Sequence, residues 1–455
     1  MRIDWNRLSE PADGTFIELT GYPLAQGSAR TAATFLVVPE PRCCGAHAPA
    51  DPSGAIEVFA AQPISVRVGA LRLAGRWRVL TDDPTNWRYQ LHDARPVAPP
   101  GWGGVTRRTA MLSGPLMCLG VAASPASAQE RQNAARAAIA AGPAIDMHCH
   151  AGGIANAHRI RIGSGFGPIA EPMRQGGMRA ICLAVVSDGP THHREGGRIR
   201  PYRDPAPGEL YEYGTLAFER VRDLVNREGL RIIATKADLT AAGPGVVIAA
   251  EGADFLEGRL ERVDEASGRW TLRHLQLTHY RVNELGDIQT ESPVHQGLSD
   301  FGAEVIRRCN RLGIVVDVAH GTLDLVRRAA AVSSKPLVLS HTSLTANPRP
   351  YTRLITAEHA RVVAATGGVI GVWPVADIYP NFNAMAVGMA RLADIVGVDH
   401  VGFGTDLRGL TGASTIKDYD DLPLLADALL GVGFNQQDAG KILGGNYARV
   451  FAATL

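Results

Sequence analysis

Eight short apolar runs follow one another through the C-terminal two-thirds of the chain, and most of them end in a side chain that can bind metal or move a proton. They are AIDMHCH, ending at His148 and His150, RAICLAVVS at Ser187, VVIAAEG with Glu251, and LRHLQLTH at His279. IVVDVAH at His320, VLSHT with His341, GVIGVWP with Trp373 and VGFGTD at Asp406 complete the series. Each run reads as a strand, and helix-like segments separate most of them. Strand then helix, repeated eight times, predicts a TIM (β/α)8 barrel of α/β class. In such a barrel the strands' C-terminal ends open into one shared mouth. Five histidines, a glutamate and an aspartate would therefore meet there, a constellation suited to metal-dependent hydrolysis.

Residues 1–100 carry a different pattern. TFIELTGY, TFLVVPE, AIEVFA, VRVGALRLAGRWRVL and NWRYQLHDA are short, rich in Val, Ile, Phe and Trp, and punctuated by Gly and Pro. They predict a small all-β domain. LRLAGRWRVL followed by NWRYQLHDAR resembles the OB-like domains of bacterial exported proteins. Cys43, Cys44 and His47 could offer metal ligands. Adjacent cysteines seldom hold one ion together and no fourth partner is apparent, so a structural turn is the better expectation.

Residues 101–143 read as a linker. Within it, Thr106–Ala128 looks like a twin-arginine export signal: Arg107 and Arg108, a weakly apolar stretch over Ala110–Ala123, and the small-residue cleavage pattern Ala126-Ser127-Ala128. Its place is unusual, because 105 residues precede it. Either translation starts near Val105, or an N-terminal domain is fused ahead of the signal. Use of the signal would place the barrel in the periplasm; otherwise it stays cytoplasmic. An Ala-rich linker with a chance arginine pair is the plainer alternative.

At 455 residues the chain has room for a barrel of about 250 residues or more and a second unit. Hydrophobic residues make up 45% and charged residues 20%, an ordinary globular balance. A net charge of +1 gives no reason to expect nucleic acid or an anionic membrane as partner. Among the six cysteines, Cys118, Cys149, Cys182 and Cys309 sit in apolar contexts without CxxC spacing, and read as buried thiols.

From Ala144 onward the motifs resemble, in order, those of the membrane dipeptidase (renal dipeptidase-like) family of zinc peptidases. IDMHCH at Ile145–His150 resembles that family's first-strand DxHxD, IAAEG at Ile248–Gly252 its bridging-glutamate strand, and LTH at Leu277–His279 a family signature. GLSDFG at Gly297–Gly302, NRLGIVVDVAH at Asn310–His320, KPLVLSHT at Lys335–Thr342, VGFGTD at Val401–Asp406 and GGNYARV at Gly444–Val450 continue the series. The resemblance implies two zinc ions held by His148, His150, Glu251, His320 and His341.

These residue types suit that chemistry. Zinc takes imidazole nitrogen and carboxylate oxygen and, in catalytic sites, keeps a position open for water. His148 and His150 are two apart on a strand and share a face. Glu251 can give one oxygen to each of two ions, and metal binding lowers the pKa of water from about 15.7 towards 7. Asp406, at the last strand's end, can take a proton from that water and pass it to the leaving amine. By resemblance, His279 polarises the scissile carbonyl, and Arg353 clamps a dipeptide's terminal carboxylate, given a one-residue insertion before it.

Other residues read as bystanders. Asp146 is expected on the inward face with His148 and His150 as a structural residue, and Cys149 on the opposite face against a helix. His192, His193, His274, His295, His359 and His400 are expected to be ordinary solvent or loop histidines. One departure stands out: His150 occupies the family's aspartate position, which leaves Glu251 the only carboxylate among five ligands. The basic stretch SDGPTHHREGGRIRPYR after the second strand is also long enough to reshape the pocket. The leading expectation is hydrolysis of a dipeptide or similar small amide. A lactone or N-acyl amino acid hydrolase, or a catalytically silent metal-binding protein, are the alternatives, and a homodimer is left open.

Overall fold

The computed structural model describes residues 3–24, 31–39, 54–65, 71–81, 88–97, 128–159, 166–195, 198–346 and 348–455. Cys43, Cys44, His47, Cys118 and the export-signal-like segment, apart from its last alanine, lie outside the described residues. The chain divides into two compact units. One takes residues 1–134 and 431–433; the other takes 135–430 and 434–455.

The first unit is a closed five-stranded barrel of β1 (Phe16–Leu24), β2 (Thr31–Val38), β3 (Ile56–Ser65), β4 (Leu71–Val79) and β5 (Tyr89–Pro96), in the order β1-β2-β3-β5-β4. β4 closes it on β1, with Phe16 opposite Arg76 and Gly21 opposite Leu71. β3 and β5 form its parallel pair. Ile17 and Leu19, two apart on β1, turn inward with Val37, Val58, Leu73 and Trp77. This is an OB-type barrel.

The second unit carries every strand that the apolar runs predict. Its barrel strands are β6 (Ile145–Cys149), β7 (Ala180–Val186), β11 (Gly245–Glu251), β12 (Leu272–Gln276), β13 (Val315–Asp317), β14 (Val338–Thr342), β15 (Val369–Val372) and β16 (Val401–Phe403). Three further strands fall between these: the hairpin β8 (His192–Glu195) with β9 (Arg198–Pro201), and the short edge strand β10 (Arg231–Ile232) beside β11. The barrel strands pair in parallel in the order β6-β7-β11-β12-β13-β14-β15-β16. Between the last strand and the first, two main-chain hydrogen bonds of 2.9 Å bridge the seam: Asp406 N donates to His148 O, and His150 N donates to Leu407 O.

All seven residues of β7 and of β11 are buried. Their unbroken apolar runs are what a parallel sheet covered on both faces requires. The covering helices alternate instead. In the helix Glu209–Arg227 the buried positions Leu210, Gly214, Ala217, Val221 and Leu224 recur every three or four residues. The helix Asp300–Leu312 starts at Ser299, whose side chain accepts from Gly302 N, and stops at left-handed Gly313. None of the described helices is long and apolar enough to cross a membrane.

Several bystander expectations need correcting. The pairing of β6 with β7 slips between Asp146 and Cys149, so the strict alternation fails there. Met147, not Asp146, takes the interior position, in one apolar cluster with Ile145, Val247, Val315 and Val338. Asp146 instead accepts hydrogen bonds from Thr405 N, Thr405 Oγ1 and the Tyr419 hydroxyl. His274 is buried on β12: its Nε2 donates to Asp317 at 3.1 Å, and Tyr447 donates to its Nδ1 at 2.9 Å. His359 is buried too, its Nδ1 accepting from Thr356 at the start of the helix Ala357–Ala365. His295 and His400 are half-buried, bonded to the Asn283 and Gly368 carbonyls. Of the six histidines read as ordinary, only His193 is fully at the surface.

Candidate metal centre

The barrel's C-terminal ends bring the five expected ligands, His279 and Asp406 to one point. His148 and His341 lie within their strands, Glu251 is the last residue of β11, and His150, His279, His320 and Asp406 fall within three residues of a strand end. Glu251 is the hub. Its Oε1 lies 3.2 Å from His320 Nε2, 3.4 Å from His148 Nε2 and 3.6 Å from His341 Nε2. Its Oε2 lies 3.1 Å from His150 Nε2 and 3.3 Å from His279 Nε2. Gly252 makes this possible: at φ +82°, a side chain there would strike Asp254 Oδ2 and Ser187 Oγ.

The hydrogen bonds behind three imidazoles set their tautomers. His150 Nδ1 is 2.8 Å from the Ala184 carbonyl and His320 Nδ1 is 3.1 Å from the His279 carbonyl. A carbonyl only accepts, so both Nδ1 atoms carry hydrogen, and burial keeps the His320 ring neutral with a lone pair at Nε2. His341 Nε2 accepts from Arg353 Nη2 at 3.1 Å, which makes it a lone pair as well. Its Nδ1 faces Ser340 Oγ at 2.9 Å. The bare Nε2 of His320 thus confronts Glu251 Oε1 at 3.2 Å and His341 Nε2 at 3.2 Å. Acceptors do not attract each other at these distances. Divalent cations would convert these contacts into bonds, so the donor set fits metal ions. Four groups of three donors can be drawn here, among them His148–His150–Asp406, His148–Glu251–His341 and Glu251–His279–His320.

Electrostatics follow from burial and proximity. Burial opposes ionisation of Glu251, but His279 and His148 hold its carboxyl well below the usual range. Burial, helped by Arg353, holds His320 and His341 well below the ordinary imidazole value. Asp406 is pushed up by burial, and the neighbouring Glu251 charge adds to this.

Sequence reasoning missed Asp188. It follows Ser187 at the end of β7 and is fully buried. Its Oδ1 accepts from His279 Nδ1 at 2.7 Å, and its Oδ2 accepts from Tyr280 N at 3.0 Å. His192, expected in solvent, stands on the rim with Nε2 3.2 Å from the same Oδ1. Burial opposes the imidazolium of His279, yet Asp188 and Glu251 raise it to about 9. The signal available was the carboxylate following the second apolar run, which only a closed barrel brings to LTH.

Arg353 lies half-buried beside the centre, its guanidinium 5.4 Å from the Trp373 ring and its Nη1 donating to Gln289 at 3.0 Å. Above these groups opens a cavity of about 440 Å³, lined by Tyr213, Ile199, His192, Tyr280, Trp373, Val375 and Leu410 among others. The long basic segment after the second strand is the β8–β9 hairpin. Arg198 ties it to the Thr290 carbonyl in the loop after β12, and Ile199 contributes to the wall.

A family profile described as membrane dipeptidase (peptidase family M19) matches residues 172–454. The chain belongs to this family. The match begins after β6, so His148 and His150 lie ahead of it. Dipeptidase aclJ of Aspergillus oryzae is 30% identical over 192 residues, 39% of this chain and 44% of that protein. Dipeptidase verJ of Clonostachys rogersoniana is 30% identical over 188 residues, 40% of this chain and 48% of that protein. The chain thus spans under half the length of these curated relatives. Among solved structures, an amidohydrolase from Pseudomonas aeruginosa superposes with a TM-score of 0.56 at 20% identity, covering 70% of this chain and 99% of that one. A Rhodobacter sphaeroides metallopeptidase, liganded with a phosphinate mimic of the dipeptide L-Ala-D-Ala, gives a TM-score of 0.56 at 20% identity, covering 69% and 99%. At such identity these structures support the fold of this membrane dipeptidase family member.

Proposed function

We propose that the protein is a metal-dependent dipeptidase whose centre takes two zinc ions. The observation that carries this is the ring of four imidazole Nε2 atoms around the two oxygens of Glu251, opposite His279. Bound ions would supply a water acidic enough to attack an amide near neutral pH and would polarise its carbonyl. The remaining work falls to the protein. His279, oriented by Asp188, presents Nε2 to the scissile carbonyl's developing oxyanion. Asp406 takes the proton released in the attack and returns it to the leaving amine. Arg353, backed by Trp373, presents a planar cation to the substrate's C-terminal carboxylate. A cavity of about 440 Å³ suits a two-residue substrate.

If the segment Thr106–Ala128, which resembles a twin-arginine signal, is used for export, it would deliver this activity to the periplasm. The test is a substrate panel on zinc-loaded full-length protein, comparing dipeptides, N-acyl amino acids and lactones. Dipeptide turnover, blocked by a phosphinate dipeptide mimic, is expected. Turnover confined to lactones or N-acyl amino acids would overturn the assignment.

A further inference from the structure

Asp406 is placed to do more than carry a proton. His150 Nδ1 donates to the Ala184 carbonyl, which leaves Nε2 as the ring atom free to ligate. Asp406 Oδ1 stands 3.4 Å from His150 Nε2. His148 Nε2 is 3.3 Å from His150 Nε2, and donor atoms of all three residues lie within 4.8 Å of one another. Two imidazoles and one carboxylate converging in this way form a cation's ligand set.

The backbone holds the group in place. Asp406 N donates to the carbonyl of His148, and His150 N donates to Leu407 O, both at 2.9 Å. The aspartate is thereby stitched between the two histidines, in a left-handed conformation (φ 49°) that a non-glycine residue seldom adopts. Thr405 before it is anchored on Asp146 through its amide at 2.8 Å, and through its hydroxyl. Gly409 then brings the chain back so closely that a Cβ there would lie 2.1 Å from Asp406 Oδ1 and 2.4 Å from His150 Cδ2. Fixing a carboxylate this tightly beside two imidazoles suits a ligand more than a freely swinging base.

Charge favours the same arrangement. With imidazole at position 150, Glu251 alone among the five expected ligands is anionic, and two divalent ions would bring four positive charges to it. We propose that Asp406 is itself a metal ligand through Oδ1, completing a site with His148 and His150 at the barrel seam and giving the centre its second carboxylate. Coordination through one oxygen leaves Oδ2 for proton transfer. The proposal rests on the metal centre described above and does not require a dipeptide as substrate.

The experiment compares full-length wild type with Asp406→Asn, Asp406→Ala and the double variant Asp406→Ala/His150→Asp. Each is loaded with zinc or cobalt and dialysed against a chelator. Metal per chain is measured by elemental analysis, and the cobalt d–d spectrum is recorded. Both single variants are expected to lose one metal, or to bind it at least roughly tenfold more weakly, with a changed cobalt band. Wild-type metal content and an unchanged spectrum in either would overturn the proposal. Should a metal-free single variant melt below metal-free wild type, the double variant decides. Metal regained through a carboxylate at position 150 supports the ligand role, and continued loss overturns it. Dipeptide turnover is scored separately on wild type, so a failed substrate assignment leaves the metal result intact.

Discussion

Asp188 Oδ1 accepts a hydrogen bond from His279 Nδ1 at 2.7 Å, which turns His279 Nε2 toward Glu251. Asp188 is fully buried and touches no metal-ligand nitrogen, so its effect on the reaction passes through the imidazole's orientation and tautomer. Replacing it with Asn removes the anion that favours the His279 imidazolium and offers Nδ1 a weaker acceptor, so Nε2 becomes a poorer donor to the oxyanion. Asp188→Asn is expected to lower kcat by roughly 10² to 10⁴ while leaving metal per chain unchanged. Paired kinetics and elemental analysis check this; a parallel loss of metal would instead show that Asp188 supports the ligands.

Glu251 faces four of the ligand histidines with its two oxygens, so its removal should affect both ions. Glu251→Ala is expected to abolish activity and release most of the bound metal. Glu251→Gln keeps the shape but removes the charge and gives one side of the hub to an NH₂ donor, and it should fail in the same way. Retention of both metals by either variant would exclude a bridging carboxylate.

Arg353 predicts a selective effect. A planar guanidinium matches a carboxylate better than an ammonium does. Arg353→Lys should therefore raise KM for dipeptides with a free C-terminus by roughly tenfold, since lost charge-assisted hydrogen bonds cost about 1.5–3 kcal/mol at most. Amidated dipeptides should be poor substrates for wild type and lose little further. Equal losses for both substrate types would place the arginine's importance in its contact with His341.

His359 gives the fold a pH dependence separate from the metal centre. Burial lowers its pKa from 6.5 to about 4, only partly opposed by Glu358. Below the unfolded value, the unfolded chain takes up a proton that the folded chain refuses. Stability should therefore fall as pH drops from 6.5 to about 4 and then level, by no more than about 3 kcal/mol. His359→Gln, which can still accept from Thr356 N, should flatten that decline in denaturant titrations of metal-free protein across this range.

The barrel was legible because burial on both faces forces continuous apolar runs, and β7 and β11 carry such runs over their whole length. The chemistry at the strand ends was legible because Glu251, His320 and His341 each terminate such a run. What escaped depended on local geometry or distant partners. The slip after Asp146 moved its side chain off the inward face, which an alternation rule cannot anticipate. His274 looked incidental because its partners, Asp317 and Tyr447, lie 43 and 173 residues away in the chain. Asp188 stood in a segment read only as a long basic loop, and nothing local links it to His279.

The barrel's closure has a consequence for the protein without its metals. The two hydrogen bonds at the seam belong to the backbone of His148, His150, Asp406 and Leu407, so closing the ring and assembling the ligands are one event. Ions bound there would act as rivets across the seam, and chelation should make it the first place where the ring breathes. Amide exchange would register this locally: the protons of His150 and Asp406 should lose protection on metal removal, while those of β12 and β13, on the far side of the ring, keep theirs. Metal supply would then set the opening frequency of one side of the barrel, and with it the chain's exposure to proteolysis there.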